Sequence, residues 1–160
     1  MADPLEIRRL SESTGAEILD FDLGGARYLR DGEILNDETL DALRGFDAIL
    51  LGAVGTPDVP PGVIERGLLL KMRFELDLYV NQRPFDGTAP GHDQPHDFVV
   101  IRENTEGPYV GEGGVLRKGT PHEVAIAEMI YTRNGVERVI RYAFELAAKR
   151  NKGGAPQVTL

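Results

Sequence analysis

Two arginines, Arg73 and Arg83, stand ten residues apart in K-M-R-F-E-L-D-L-Y-V-N-Q-R-P, and a third, Arg102, opens the segment R-E-N-T-E-G-P-Y. Arginine presents a planar fork of donors that matches the two oxygens of a carboxylate. One arginine alone is more often a surface ion-pair residue. Three beside apolar stretches suit a small acidic ligand, and Arg102 ends such a stretch. The carboxyl end of a parallel strand is where open α/β sheets bind ligands. Tyr109 follows Arg102 by seven residues. A phenol beside cations can donate a proton in a reaction; it can equally pack under a loop with its hydroxyl bonded. His92 and His96 stand four residues apart, but in a stretch broken by Gly91 and Pro95 that offers no helix to put them on one face, and His122 has no such partner, so all three read as loop residues. The glycines of Gly111-Glu-Gly-Gly114 can cradle an anion. They lack the G-x-G-x-x-G or phosphate-loop lysine pattern, and a plain turn fits them better.

The elements that must carry these residues are legible as periods and breaks. Asp3 and Pro4 with Glu6 predict a helix start, and Gly15 a stop. Residues 16–23, with Ile18, Phe21 and Leu23 apolar, predict a strand broken by Gly24-Gly25. Asn36 or Asp37 caps a short helix carrying Leu40 and Leu43, ended by Gly45. The run from Asp47 to Val54 does not alternate, which predicts a strand buried on both faces of a parallel sheet. Gly and Pro residues from Gly52 to Pro61 then make a loop, and a helix follows over about 63–78. Residues 84–94 are the best loop or boundary. Residues 96–102 predict an apolar strand. Val115-Leu116, a turn near 118–120 and residues 124–130 predict a hairpin arm with long, partly exposed strands, a form that invites pairing with another chain. Residues 135–150 carry the clearest 3.6-residue period, and residues 157–160 begin a further strand.

Composition narrows the partners. The chain has 160 residues, 41% hydrophobic, with a formal net charge of -8. That is enough for a core, or for pieces of two domains. The acidic total argues against a nucleic-acid partner and against an anionic membrane surface. No cysteine is present, which excludes disulfides and thiolate chemistry. The N-terminal residues have no apolar core of signal-peptide length, and no apolar run is long enough to span a bilayer. A cytoplasmic location is expected.

Four segments then resemble one family together: G-A-V-G, E-R-G-L-L-L-K-M-R, N-Q-R-P and V-V-I-R-E-N-T-E-G-P-Y. They resemble the isopropylmalate/isocitrate/tartrate dehydrogenases, NAD-dependent enzymes that decarboxylate a 2-hydroxy diacid. The likeness runs from about Asp20 to Leu160, and the paired arginines with R-E-x-T-x-G-x-Y are its most specific part. It implies that Arg73, Arg83 and Arg102 bind substrate carboxylates and that Tyr109 assists protonation of the enol left after carbon dioxide departs. It implies that Glu65 contacts the nicotinamide-side ribose. Leu68, Leu69 and Lys71 fall where family members tell a branched alkyl substrate from a polar one, and leucines there suit an isopropyl group. The implied substrate is 3-isopropylmalate, an intermediate of leucine biosynthesis. Gln82 stands where the family usually has leucine. Asn104-Thr105-Glu106 is nearer to isocitrate and tartrate members, which keeps a tartrate- or isocitrate-type substrate as an alternative.

The same resemblance implies an α/β fold, a partial isopropylmalate/isocitrate dehydrogenase-like architecture with a β-hairpin dimerisation arm. Residues 1–80 would belong to a cofactor-side domain and residues 81–160 to a second domain whose arm joins a homodimer. The family's opening strand with its G-D-G-I-G-P-E loop, its catalytic lysine, its Mg²⁺- or Mn²⁺-binding aspartates and its adenosine-binding loop are not matched in these 160 residues. No metal ligand is assigned within them. A non-catalytic carboxylate-binding module or an assembly piece is the rival reading. The expectation is that the purified 160-residue chain alone produces no NADH from 3-isopropylmalate and NAD. A measurable rate of absorbance increase from NADH would refute it.

Overall fold

A computed structural model describes residues 5–9, 17–87, 91, 96–150 and 153–160. Asp3, Pro4, Gly15 and His92 lie outside the described residues. The chain forms two compact units, with the boundary between Met72 and Arg73.

In the first unit, β1 (Leu5–Arg9) pairs antiparallel with β2 (Glu17–Phe21), Leu5 opposite Phe21. The helix predicted from Asp3 onward is therefore corrected to a strand over Leu5–Arg9. Leu5 and Ile7 alternate with polar neighbours, and the Ser- and Thr-bearing residues that follow are weak helix formers. Helix α1 (Gly25–Asp31) begins at the glycine pair, which the sequence offered only as a break, and closes on Gly32 in the left-handed region, φ 77°. Helix α2 (Asp37–Leu43) starts as expected. The Asn36 side chain accepts the Thr39 N–H at 2.9 Å, and Asp37 and Glu38 complement the dipole in the first turn.

The core of this unit is Leu35, Leu40, Leu43, Val59, Ile64, Leu68 and Met72. Ile64, Leu68 and Met72 recur every four residues, so one face of the predicted 63–78 helix is buried. That helix is not uniform. Glu65–Leu70 winds as π-helical turns, then α3 (Lys71–Glu75) continues as an ordinary α-helix and stops. Residues 47–54 form no strand, against expectation. Leu50 is fully exposed and Ile49 partly so. A strand needs ladder partners for its backbone groups, and apolar content alone supplies none. This segment instead lines a cavity of about 800 Å³ with Ile64, Leu68 and Met72.

In the second unit, β3 (Val80–Gly87) and β4 (His96–Glu103) form an antiparallel hairpin, Val80 opposite Glu103 and Gly87 opposite His96. The loop predicted from Pro84 onward is corrected over residues 84–87. Each strand of a two-stranded sheet keeps one free edge, and a proline facing it removes no ladder bond. Phe85 and Phe98 stack across the pair at 4.8 Å. His96 opens β4 and is not a loop residue. A second hairpin joins β5 (Gly113–Leu116) to β6 (Val124–Ala127). It matches the predicted arm in place, with shorter strands and every residue exposed. Gly113 and Gly114 belong to β5, so they form neither a turn nor an anion cradle. His122 sits in the connecting turn.

Helix α4 (Arg133–Arg150) fulfils the 135–150 expectation. It lies against the β3–β4 hairpin, where Tyr142 donates its hydroxyl to the Gln82 side chain at 2.7 Å and Arg150 pairs with Asp97. The family-atypical Gln82 thus has a partner on α4. Residues 157–160 are irregular, not a strand. Among the described residues all three sheets are two-stranded and antiparallel, which corrects the parallel sheet predicted from the apolar runs. Among them, too, no helix is long and apolar enough to cross a membrane.

Candidate functional site

The register of the β3–β4 hairpin decides where its arginines point. Asn81 lies opposite Arg102, and Arg83 opposite Val100. Residues directly opposite share a face, as do residues two apart. Arg83 and Arg102 therefore emerge on the same face, and the Arg83 Nε donates to Asn81 Oδ1 at 2.8 Å. Arg73 arrives from the last turn of α3. Tyr109 follows β4 in the next turn, partly exposed. The Arg102 guanidinium carbon lies 4.6 Å from the centre of the Tyr109 ring, and that of Arg73 lies 5.4 Å away. Both distances fall within the range of cation–π attraction.

The electrostatics follow from this crowding. Hydrogen bonding from Arg102, then its charge, holds the Tyr109 phenol below the ordinary tyrosine range; desolvation opposes this, and the charges of Arg73 and Arg83 add smaller lowering effects. Burial, and then the like charge of Arg102, lowers the proton affinity of Arg73, while Tyr109 and Glu103 raise it. The Arg73 Nη1 atom is buried and has no hydrogen-bond partner among the described residues. An unpaired buried donor on a cation is costly, and an incoming carboxylate would satisfy it.

The sequence did not mark out the residues that hold this cluster in place. Glu103 accepts the Thr105 hydroxyl at 2.7 Å, the Thr105 N–H at 2.9 Å and the Glu106 N–H at 2.6 Å. Burial pushes the Glu103 carboxyl up, but these bonds outweigh it, and its net shift is downward. Asn104, buried, donates its amide to the Leu78 carbonyl at 2.9 Å and its backbone N–H to the Tyr79 carbonyl at 3.0 Å. Glu106 accepts the Thr132 hydroxyl at 2.5 Å and the Thr132 N–H at 2.7 Å. Thr132 in turn caps α4 through the Gly135 N–H at 3.0 Å. A Cβ on Gly135 would meet the Glu106 carboxylate at 2.4 Å, so a larger residue there would push that carboxylate off its bonds to Thr132. The available signal was the run R-E-N-T-E-G itself, whose carboxylates and amide read as ligand groups but serve as turn anchors.

The other candidate residues belong to the first unit. Glu65 accepts the Gly62 N–H at 2.9 Å, the reciprocal half of a capping box. Leu68 is 2% exposed within the core, and Leu69 is half-buried. Lys71 donates to the Leu35 carbonyl at 3.0 Å and to Asp37 at 2.7 Å. The structure therefore brings Arg73, Arg83, Arg102 and Tyr109 together and describes Glu65, Leu68 and Leu69 as parts of the other unit.

Residues 5–160 match the profile of the isocitrate/isopropylmalate dehydrogenases. The chain belongs to this family. It is 59% identical over 142 residues to 3-isopropylmalate dehydrogenase of Corynebacterium glutamicum, covering 85% of this chain and 42% of that protein. With the Corynebacterium kroppenstedtii 3-isopropylmalate dehydrogenase it shares 54% over 160 residues, 94% of this chain and 47% of that one. Among solved structures, isocitrate dehydrogenase from Methylococcus capsulatus superposes with a TM-score of 0.65 at 34% identity, covering 81% of this chain and 38% of that one. The chain thus spans less than half the length of the dehydrogenases it matches.

Glu103 supplies a pH test. A carboxyl lowered on folding stabilises the fold above its unfolded pKa, and that contribution is lost as pH falls through its lowered value. Glu103→Gln is expected to cost about 1 kcal/mol at neutral pH and progressively less in acid. Urea unfolding across a pH series measures the gap; a gap constant with pH would contradict the assignment.

Proposed function

We propose that this chain provides the diacid-binding arginines and the proton-donating tyrosine of an NAD-dependent oxidative decarboxylation, with 3-isopropylmalate as the substrate. The observation carrying this reading is the convergence of the Arg73 and Arg102 guanidinium groups on the Tyr109 ring, with Arg73 Nη1 left unpaired. The names of the relatives at 54–59% identity support the substrate.

In this reading Arg73, Arg83 and Arg102 fix the two carboxylates of the diacid, which is catalysis by positioning. Tyr109 holds a proton at its hydroxyl. Because nearby cations stabilise the phenolate, the phenol is a stronger acid than usual and better able to protonate the enol carbon once carbon dioxide has left. When bound, NAD would supply the hydride acceptor, and a divalent metal such as Mg²⁺ or Mn²⁺ would supply polarisation of the substrate oxygens. Among the described residues no three His, Asp or Glu side chains cluster as metal ligands, so no step is assigned here to a metal held by them. Glu65, fixed at a helix start by its bond to Gly62, is the candidate contact for a ribose hydroxyl. Leu68 and Leu69 are the candidates for contact with the isopropyl group, and residues 1–80 for the cofactor-side domain.

Calorimetry of the chain with 3-isopropylmalate is expected to show binding that Arg73→Ala or Arg102→Ala weakens by about ten- to a hundredfold, the scale of lost charged hydrogen bonds. Tighter binding of tartrate or isocitrate would redirect the substrate. Affinity indifferent to both substitutions would sink the site.

The β5–β6 hairpin is proposed as the arm that joins two copies. Its apolar side chains Val115, Leu116, Val124 and Ile126 are 45–59% exposed, and its strand edges are free to pair. Light scattering after size exclusion is expected to give a dimer that Val115→Lys with Ile126→Lys converts to monomer. A wild-type monomer at micromolar concentration would overturn this.

A further inference from the structure

Arg138 is absorbed by none of the roles above, yet it touches each segment that carries the cluster. Its Nη1 reaches both carboxylate oxygens of Asp77, at 2.8 and 2.9 Å. Its Nη2 donates to the Thr105 hydroxyl at 2.8 Å and lies 3.9 Å from Glu103. Its guanidinium lies over the Tyr79 ring at 4.5 Å. Asp77 sits in the turn between Arg73 and Arg83, and Tyr79 leads into β3. Thr105 and Glu103 form the turn between Arg102 and Tyr109. One side chain from α4 thus ties the connection between two of the arginines to the connection between the third arginine and the phenol.

Asp77 shows that this tie holds a strained element. Its φ is 48°, in the left-handed region that a non-glycine residue adopts only at a cost. The backbone around it is drawn tight, with the Leu78 N–H on the Arg73 carbonyl at 2.9 Å and the Tyr79 N–H on the Asp77 carbonyl at 2.8 Å. The planar guanidinium fork suits two partners at fixed angles, and a lysine would hold only one of them in that geometry.

We propose that Arg138 is a positioning residue, setting the spacing of Arg73 and Arg102 about Tyr109 by clamping the Asp77 turn to the Thr105 turn. This deepens the proposed function and rests on its reading of the arginine cluster. Arg138 does not touch the phenol; the cations that act on it are Arg102, Arg73 and Arg83. A change in Tyr109 on removing Arg138 must therefore pass through their positions.

The test uses the full 160-residue chain. Tyr109 ionisation is followed by ultraviolet difference absorbance, with Tyr109→Phe subtracted to isolate its signal. In Arg138→Gln the Tyr109 midpoint should rise toward the ordinary tyrosine value, and affinity for 3-isopropylmalate should fall about tenfold. Arg138→Lys, which keeps the pair with Asp77 but not the fork, should lie between. Asp77→Asn covers the case in which Arg138→Gln does not fold. Asparagine tolerates the left-handed backbone, so the turn persists while its charge pair is lost, and the same two shifts are expected. An unmoved Tyr109 titration in folded Arg138→Gln or Asp77→Asn overturns the proposal. If the unsubstituted chain binds no diacid, the proposed function fails, and the titration alone still decides the role of Arg138.

Discussion

Arg73 and Arg102 repel each other, and the fold holds them together over one aromatic ring. Like charges so placed are tolerable only where something nearby favours both. Here the π face of Tyr109 attracts each guanidinium, and the Glu103 charge acts in favour of the Arg73 cation. The compensation is partial: burial and Arg102 still lower the proton affinity of Arg73. A cluster of cations left short of negative charge suits the dianion that the proposed function assigns to it. The repulsion that strains the empty arrangement is the attraction that would favour its ligand.

Around that cluster most of the R-E-N-T-E-G-P-Y segment is scaffold. Arg102 and Tyr109 face the site, whereas Glu103 folds the turn, Asn104 fastens it to residues 78–79, and Glu106 receives Thr132 at the head of α4. Charged groups that look like ligand contacts on paper are occupied by backbone N–H groups. A carboxylate bound in this way exchanges the versatility of an exposed acid for a fixed geometry, which a positioned cationic site requires.

The sequence was most legible where an element satisfies its own backbone. The Asn36 cap, the periodic stripe of α4 and the β5–β6 hairpin each draw their hydrogen bonds from local partners, and each stands where period and turn signals put it. It misled where a strand depends on remote partners. Residues 47–54 and 157–160 have strand-like composition but no ladder, and the arginine-bearing strand β4 pairs antiparallel with β3 instead of lying in a parallel sheet. Pro84 hid β3, because a proline argues against a strand only where its missing N–H would have been used. The three arginines and Tyr109 were recognisable as a set through their spacing and the family resemblance. Arg138 was not, because on a helix with several surface charges nothing in the sequence distinguishes a fork gripping two turns from a solvated side chain.

The backbone N–H of Gly107 bonds to the Ile130 carbonyl at 2.8 Å, and its φ is 82°. A Cβ there would stand 3.0 Å from the Tyr131 hydroxyl. Any other residue at 107 is thus obstructed twice, by its own backbone torsion and by an aromatic neighbour. The turn bearing the phenol is stitched at that point to the chain leaving the exposed hairpin, two residues from Tyr109. A single hydrogen atom in place of a side chain gives the turn its left-handed backbone and leaves room for the Tyr131 ring beside it.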